Sequence, residues 1–270
     1  MKSAREALRA VPRDLFIPDV IWVDGEDGYM RPLSRSAEPD RWATLVHSDE
    51  SVIVQVDDGA KDRGFWSTSS SSGPPIMAKM LDAMRLEEGM RVLEIGTGTG
   101  YNAAVLAHLI GAENVTTIEV DAALAEQARQ SLRKAGYPVQ VVTGDGEEGY
   151  PPNAPYDRIV ATAAAHTVPY AWVEQTRPGG LILVPWAATF HPDCPLAVLT
   201  VREDGTGTAE GRFAGPSWFM PLRGQRQSYA VAREAKERWE KAGRPDSTRF
   251  GVTVTPQGQR VWLDDPGNVI

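Results

Sequence analysis

Three glycines at alternate positions, Gly96, Gly98 and Gly100, follow the apolar run Val92-Leu93-Glu94-Ile95. A helix-forming run, Asn102 to Ile110, comes next. Glycine lets a backbone turn sharply and approach a ligand closely. In a strand-turn-helix unit that approach falls at the carboxyl end of a parallel strand. A dinucleotide loop would read G-x-G-x-x-G, but Tyr101 stands in the third glycine's place. Glu119 ends the second strand, roughly 20 residues on, where a carboxylate can accept from both ribose hydroxyls of a nucleoside. It suits a solvated strand end as well. Asp145, in Thr143-Gly144-Asp145-Gly146, ends the third strand and can accept from an adenine amine. The same residues are ordinary turn chemistry. Glu94 reads as a supporting carboxylate near the loop amides. Thr97, Thr99, Val120 and Gly146 complete the candidate nucleoside site.

A second constellation is the hydroxyl block Thr68-Ser69-Ser70-Ser71-Ser72, just ahead of Pro74-Pro75. Prolines are favoured at a helix start, and Ile76, Met77, Met80, Leu81 and Met84 fall on one face of the run that follows. Hydroxyls and free amides at a helix N-terminus bind anions, so Ser69, Ser70, Ser71 and Ser72 are candidates to hold an acceptor carboxylate. Ser72 suits an N-cap equally well, and the other serines a flexible linker. His166, at the opening of the loop after the fourth strand, is a candidate for acceptor binding or proton handling. His47, His108, His191 and Cys194 show no metal-ligand spacing, so no metal site is expected. Arg13 and Arg63 could counter an acidic peptide or simply be solvated.

The elements that must position these residues form an α/β pattern. Strands read at Val92-Ile95, Val115-Glu119, Val139-Thr143, Ile159-Thr162, Leu181-Val184 and Leu196-Val201. Helical runs lie between the first three, one of them Asp121 to Ala135, stopped by Gly136. That alternation predicts a parallel sheet covered by helices. Residues 1–72 read as irregular apart from a strand at 51–56. The chain divides into an N-terminal acceptor-side or lid region (1–72), a core (73–222) and a helix-hairpin extension (223–270). In the extension Val231, Ala235 and Trp239 share a helix face, and Val252-Thr253-Val254 faces Arg260-Val261-Trp262 across a Pro256-Gln257-Gly258 turn.

Composition excludes several classes. The formal charge of the 270 residues is -8, against nucleic acid as a partner. The one cysteine, Cys194, fits a reducing cytoplasm. The stretch Met1 to Ala10 has charges and no apolar core, so no signal peptide is read there. The longest apolar run is broken by His108 and is too short to span a bilayer. A soluble, cytoplasmic chain with no membrane partner is expected. Its oligomeric state is open, a monomer being favoured.

The G-x-G-x-G form with an acid two residues ahead resembles motif I of S-adenosylmethionine-dependent methyltransferases. The wider pattern resembles the protein-L-isoaspartate O-methyltransferase family. The residues that carry it are Val11-Pro12-Arg13-Asp14-Leu15-Phe16-Ile17-Pro18, Ser72-Gly73-Pro74-Pro75-Ile76-Met77-Ala78, the glycine loop, Ile118-Glu119-Val120-Asp121 and Gly144-Asp145-Gly146. Tyr156 to Pro169, Arg177 to Pro185 and Trp218-Phe219-Met220-Pro221-Leu222 extend it. The resemblance implies a class I, Rossmann-like, seven-stranded and mostly parallel sheet with S-adenosyl-L-methionine as cofactor. Gly96, Gly98 and Gly100 would then line the cofactor, Glu119 hold ribose, Asp145 hold adenine and Ser72 touch the acceptor carboxylate.

The departures lie on the acceptor side and at the ends. Ala165 and His166 replace two prolines, the segment between Pro18 and Ser72 is longer than the family's, and the tail after Leu222 reads as having no counterpart. With the serine block and the ending, these features resemble a subgroup that acts on ribosomally made peptides of graspetide and lanthipeptide type. That likeness implies methylation of one aspartate in a cyclised precursor peptide, followed by collapse to an aspartimide. The alternatives are repair of isoaspartyl damage in proteins, a small-molecule O-methyltransferase and a silent cofactor-binding partner of a peptide-modifying enzyme.

Overall fold

β-branched and apolar runs become strands here, and the glycine-punctuated stretches between them become turns. The computed structural model describes residues 3–270; Met1 and Lys2, part of the stretch read for a signal peptide, lie outside the described residues. In chain order the elements are α1 (Ala4–Ala10), β1 (Val20–Asp24), β2 (Met30–Ser34), α2 (Pro39–Val46), β3 (Val52–Val56), β4 (Ser67–Ser71) and α3 (Pro74–Met84). Then come β5 (Val92–Ile95), α4 (Tyr101–Ile110), β6 (Val115–Glu119), α5 (Ala122–Lys134), β7 (Gln140–Thr143), β8 (Tyr156–Ala161) and α6 (Tyr170–Gln175). The last are β9 (Thr176–Pro185), β10 (Pro195–Val201), β11 (Ala209–Pro216), α7 (Tyr229–Lys241), β12 (Phe250–Thr255) and β13 (Gly258–Leu263). The chain forms two compact units, residues 1–89 with 97–144 and residues 90–96 with 145–270.

In the first unit, the stretch expected to be irregular is an ordered antiparallel sheet of order β2-β1-β3-β4. It closes over its own core of Ile17, Ile21, Leu33, Trp42, Val46 and Val52. Trp42 and Val46, one turn apart on α2, supply much of that burial, and the Trp42 indole donates to the Pro18 carbonyl at 3.2 Å. The serine block is itself a strand. β4 pairs with β3 from Val52↔Ser71 to Val56↔Ser67, so the serines are neither a linker nor a helix start. Gly73 caps α3, and no side chain completes that cap, which removes the N-cap role from Ser72. In the same unit β6 and β7 pair in parallel. Asp121 caps α5 between them by accepting from the Ala123 and Leu124 amides.

In the second unit, β5, β8 and β9 pair in parallel and β9, β10, β11, β12 and β13 antiparallel. The tail hairpin forms, and it joins β11, a strand that Gly211 and Gly215 hide from an alternation search. Trp186, Phe190, Phe213 and Phe250 pack with ring centroids 4.8–6.2 Å apart, carrying the core out to β12. Among the described residues no helix is long and apolar enough to cross a membrane.

Candidate active site

In the first unit the glycine loop is built on positive φ. Gly98 sits at +53° and Gly100 at +85°, the latter capping α4. A side chain at Gly100 would crowd the Leu132 side chain at 3.2–3.3 Å in a backbone shape L residues avoid. Thr97 and Thr117 hydroxyls bond at 2.7 Å, and Thr99 accepts from the Tyr101 amide. The Gly98 amide donates to Glu119 Oε2 at 2.9 Å, and the Asp121 amide to Glu119 Oε1 at 3.1 Å. Glu119 is only 8% exposed, so its carboxylate is aimed by two backbone donors. Val120 beside it is 44% exposed.

The serine strand runs beside this loop. A Cβ on Gly98 would lie 3.5 Å from the Ser70 carbonyl and 3.7 Å from Ser69 Oγ. Strand alternation sorts the serines. Ser69 and Ser71 are buried, whereas Ser70 and, past the strand end, Ser72 are partly open. The anchor is Arg13, buried at 7% exposure. Its guanidinium donates to the carbonyls of Val46, Ser48, Glu50, Ser71 and Ser72, and to Ser71 Oγ, all at 2.9–3.3 Å. Arg13 therefore does not meet a peptide; it clamps the strand. Sequence reasoning missed that role because its partners lie 33 to 59 residues away. Arg63 stacks over Tyr29 at 4.5 Å.

In the second unit, Glu94 is fully buried on β5. Gly96 has φ +92°, and its carbonyl accepts from Thr162 Oγ1 at 2.5 Å. Asp145 is exposed and accepts from the Glu147 amide at 2.9 Å, while the Gly146 carbonyl accepts from the Trp172 indole at 2.8 Å. His166 lies in a loop staked by two glutamines. Gln225 Oε1 accepts from the His166 and Thr167 amides at 2.9 and 3.0 Å. Gln259 donates to the His166 carbonyl at 2.7 Å and accepts from the Val168 amide at 2.9 Å. The His166 ring shares a 3.0 Å bond with the Thr167 hydroxyl. Among the described residues no group of three or more His, Cys, Asp or Glu could hold a metal.

The donor set fits a nucleoside carrying a positive sulfur. A glycine turn admits close approach, and of the roughly four acceptor positions of a carboxylate Glu119 has two taken by the Gly98 and Asp121 amides. Comparison with known proteins agrees. Residues 41–227 match the family model for protein-L-isoaspartate(D-aspartate) O-methyltransferase. A protein-L-isoaspartate O-methyltransferase of Thermococcus onnurineus is 44% identical over 226 residues, 83% of this chain and 86% of its own. Among solved structures, a protein-L-isoaspartate O-methyltransferase aligns with TM-score 0.67 at 20% identity, covering 97% of this chain and 95% of its own. A putative enzyme of the same name from Plasmodium falciparum, solved in complex with S-adenosyl-L-homocysteine, aligns with TM-score 0.54 at 14% identity, covering 83% and 99%.

Fold and family together make this a class I S-adenosylmethionine-dependent methyltransferase, an enzyme that transfers methyl groups to carboxylates. The chain belongs to the protein-L-isoaspartate(D-aspartate) O-methyltransferase family. Two expectations change. The tail does have a counterpart at the level of fold, since the alignment to a structure of the family's name covers nearly the whole chain. The relatives carry the isoaspartate name, which supports the repair alternative over the ribosomal-peptide reading.

Proposed function

We propose that this enzyme methylates the free carboxylate of isoaspartyl or D-aspartyl residues in damaged polypeptides. The observation that carries the reading, beside family membership, is the meeting of three parts in one unit: the Gly98 turn, the Glu119 carboxylate fixed to it, and the Ser69–Ser70 segment packed against it. When bound, S-adenosylmethionine supplies a methyl group on a positively charged sulfur.

The protein's tasks follow from that chemistry. A carboxylate with a reference pKa of about 3.3–3.9 is ionised at pH 7 and is already a nucleophile, so no general base is needed. Positioning is what remains, and orientation can supply roughly 7–11 kcal/mol of the barrier. Glu119 would accept from its ribose hydroxyls and Asp145 from its adenine amine. The backbone of Gly96 to Gly100 yields space, with Thr97 and Thr99 bracing it. Glu94, Val120 and Gly146 line the donor side. Ser70 and Ser72 orient the acceptor carboxylate, Ser69 and Ser71 hold the strand that presents them, and His166 contacts the acceptor chain.

The test offers cofactor with a linear isoaspartyl peptide, its normal aspartyl counterpart and a cyclised aspartyl peptide. Methyl ester and S-adenosylhomocysteine should form with the first. Turnover of the cyclised aspartyl peptide alone would instead make this an aspartimide-forming enzyme of ribosomal-peptide maturation.

A further inference from the structure

The β3–β4 connection carries an unusual surface. Phe65 and Trp66 are each 49% exposed and Tyr29 is 36% exposed. They form one cluster. Phe65 packs edge-on against Trp66 at 4.8 Å and Tyr29 at 5.8 Å, and the Arg63 guanidinium covers Tyr29. Single exposed apolar residues are ordinary, but a contiguous group marks an interaction site.

The cluster is also held firmly. Asp57 accepts from the Phe65 and Trp66 amides at 2.8 Å each, and its own amide donates to the Trp66 carbonyl. Met30 and Gly64 exchange two backbone hydrogen bonds. Gly64 tolerates no side chain, since a Cβ would fall 2.3 Å from Val56 Cγ2. Rings fixed in advance lose little freedom on binding, and Trp, Tyr and Arg are the residues that most often anchor an interface.

Position identifies the occupant. Trp66 leads directly into β4, whose Ser70 carbonyl lies against Gly98. From Trp66 to Ser70 is four residues, about 13 Å at ~3.3 Å per residue of strand. That is also the reach of four residues of extended peptide.

We infer that Tyr29, Phe65 and Trp66 bind the polypeptide flanking the methyl-accepting residue, taking an aromatic or large apolar side chain about four positions away from it. This rests on the proposed carboxylate acceptor and adds a substrate preference to it.

The test uses isoaspartyl peptides of one length. One set carries Phe four positions before or after the isoaspartate, and the control carries Ser at both. KM should fall roughly tenfold for at least one Phe peptide, in line with a buried aromatic contact. In the Phe65→Ser/Trp66→Ser variant that ratio should collapse toward one. S-adenosylhomocysteine affinity and the thermal midpoint report whether the variant is folded. Equal KM values in the unaltered enzyme overturn the inference without any variant, and so does a preference that survives in the folded variant. A dimer or vesicle binding that the variant abolishes, with no peptide preference in the unaltered enzyme, would give the patch to a second copy or a lipid surface. Methylation of none of the peptides would instead overturn the acceptor reading itself.

Discussion

The Gly98 amide lies 2.9 Å from Glu119 Oε2, so the loop proposed to admit the cofactor and the acid proposed to grip its ribose are one hydrogen-bonded unit. Loss of the acid should be felt in both. Glu119→Ala should weaken S-adenosylhomocysteine binding by about 1.5–3 kcal/mol, the range for hydrogen bonds to a charged group. Titration calorimetry decides, and unchanged affinity in the folded variant would remove the ribose role.

Ser72 lies past the end of β4 with its carbonyl held by Arg13 and its side chain partly open. Ser72→Ala should leave cofactor affinity intact and lower kcat on an isoaspartyl peptide. Full turnover at normal stability would show that the hydroxyl does not orient the acceptor.

Arg13 satisfies five backbone carbonyls at once. Its loss leaves several buried acceptors unpaired, each costing about 1–3 kcal/mol. Arg13→Ala should therefore destabilise the fold by about 3 kcal/mol or more, read from denaturant melts. Arg13→Lys should recover little, because a single ammonium cannot span the same carbonyls.

His191 is 2% exposed and packs edge-on against Trp239 and Phe250. Burial lowers its pKa, while Asp193, the Pro245 carbonyl and Asp246 pull the other way. The unfolded chain therefore takes up the proton first as pH falls. The stability linked to this group is complete above the unfolded value of about 6.5 and is lost as pH drops from there through the lower folded value. Thermal midpoints should fall between pH 7.5 and pH 5.5, less steeply in His191→Gln. Equal slopes would assign the effect to other groups.

Burial, with Asp193 adding to it, pushes the Cys194 thiol up to about 11. Alkylation by iodoacetamide at pH 8 should be far slower in the native protein than in the denatured chain, because the thiolate is the reactive form. Matching rates would contradict the buried environment.

The glycine turn and the strand ends near it were legible because their requirements are local. A turn at positive φ demands glycine at Gly96, Gly98 and Gly100, and Glu119 and Asp145 end strands whose apolar runs announce them. The acceptor side was not. β4 is five hydroxyl residues with no apolar alternation, and it is a strand because β3 pairs with it and Arg13 holds its end. β2 carries Pro32 at a sheet edge. Its place comes from pairing with β1, which no window of a few residues contains.

Gln225 and Gln259 clasp the segment His166-Thr167-Val168 from two later points in the chain. Residues 223–270 are therefore no detachable appendage. A truncation anywhere ahead of Gln259 strips the His166 carbonyl and the Val168 amide of their partners, and one ahead of Gln225 releases the His166 and Thr167 amides too. Expression designs that shorten this protein to its methyltransferase core would let go of the very loop that carries His166.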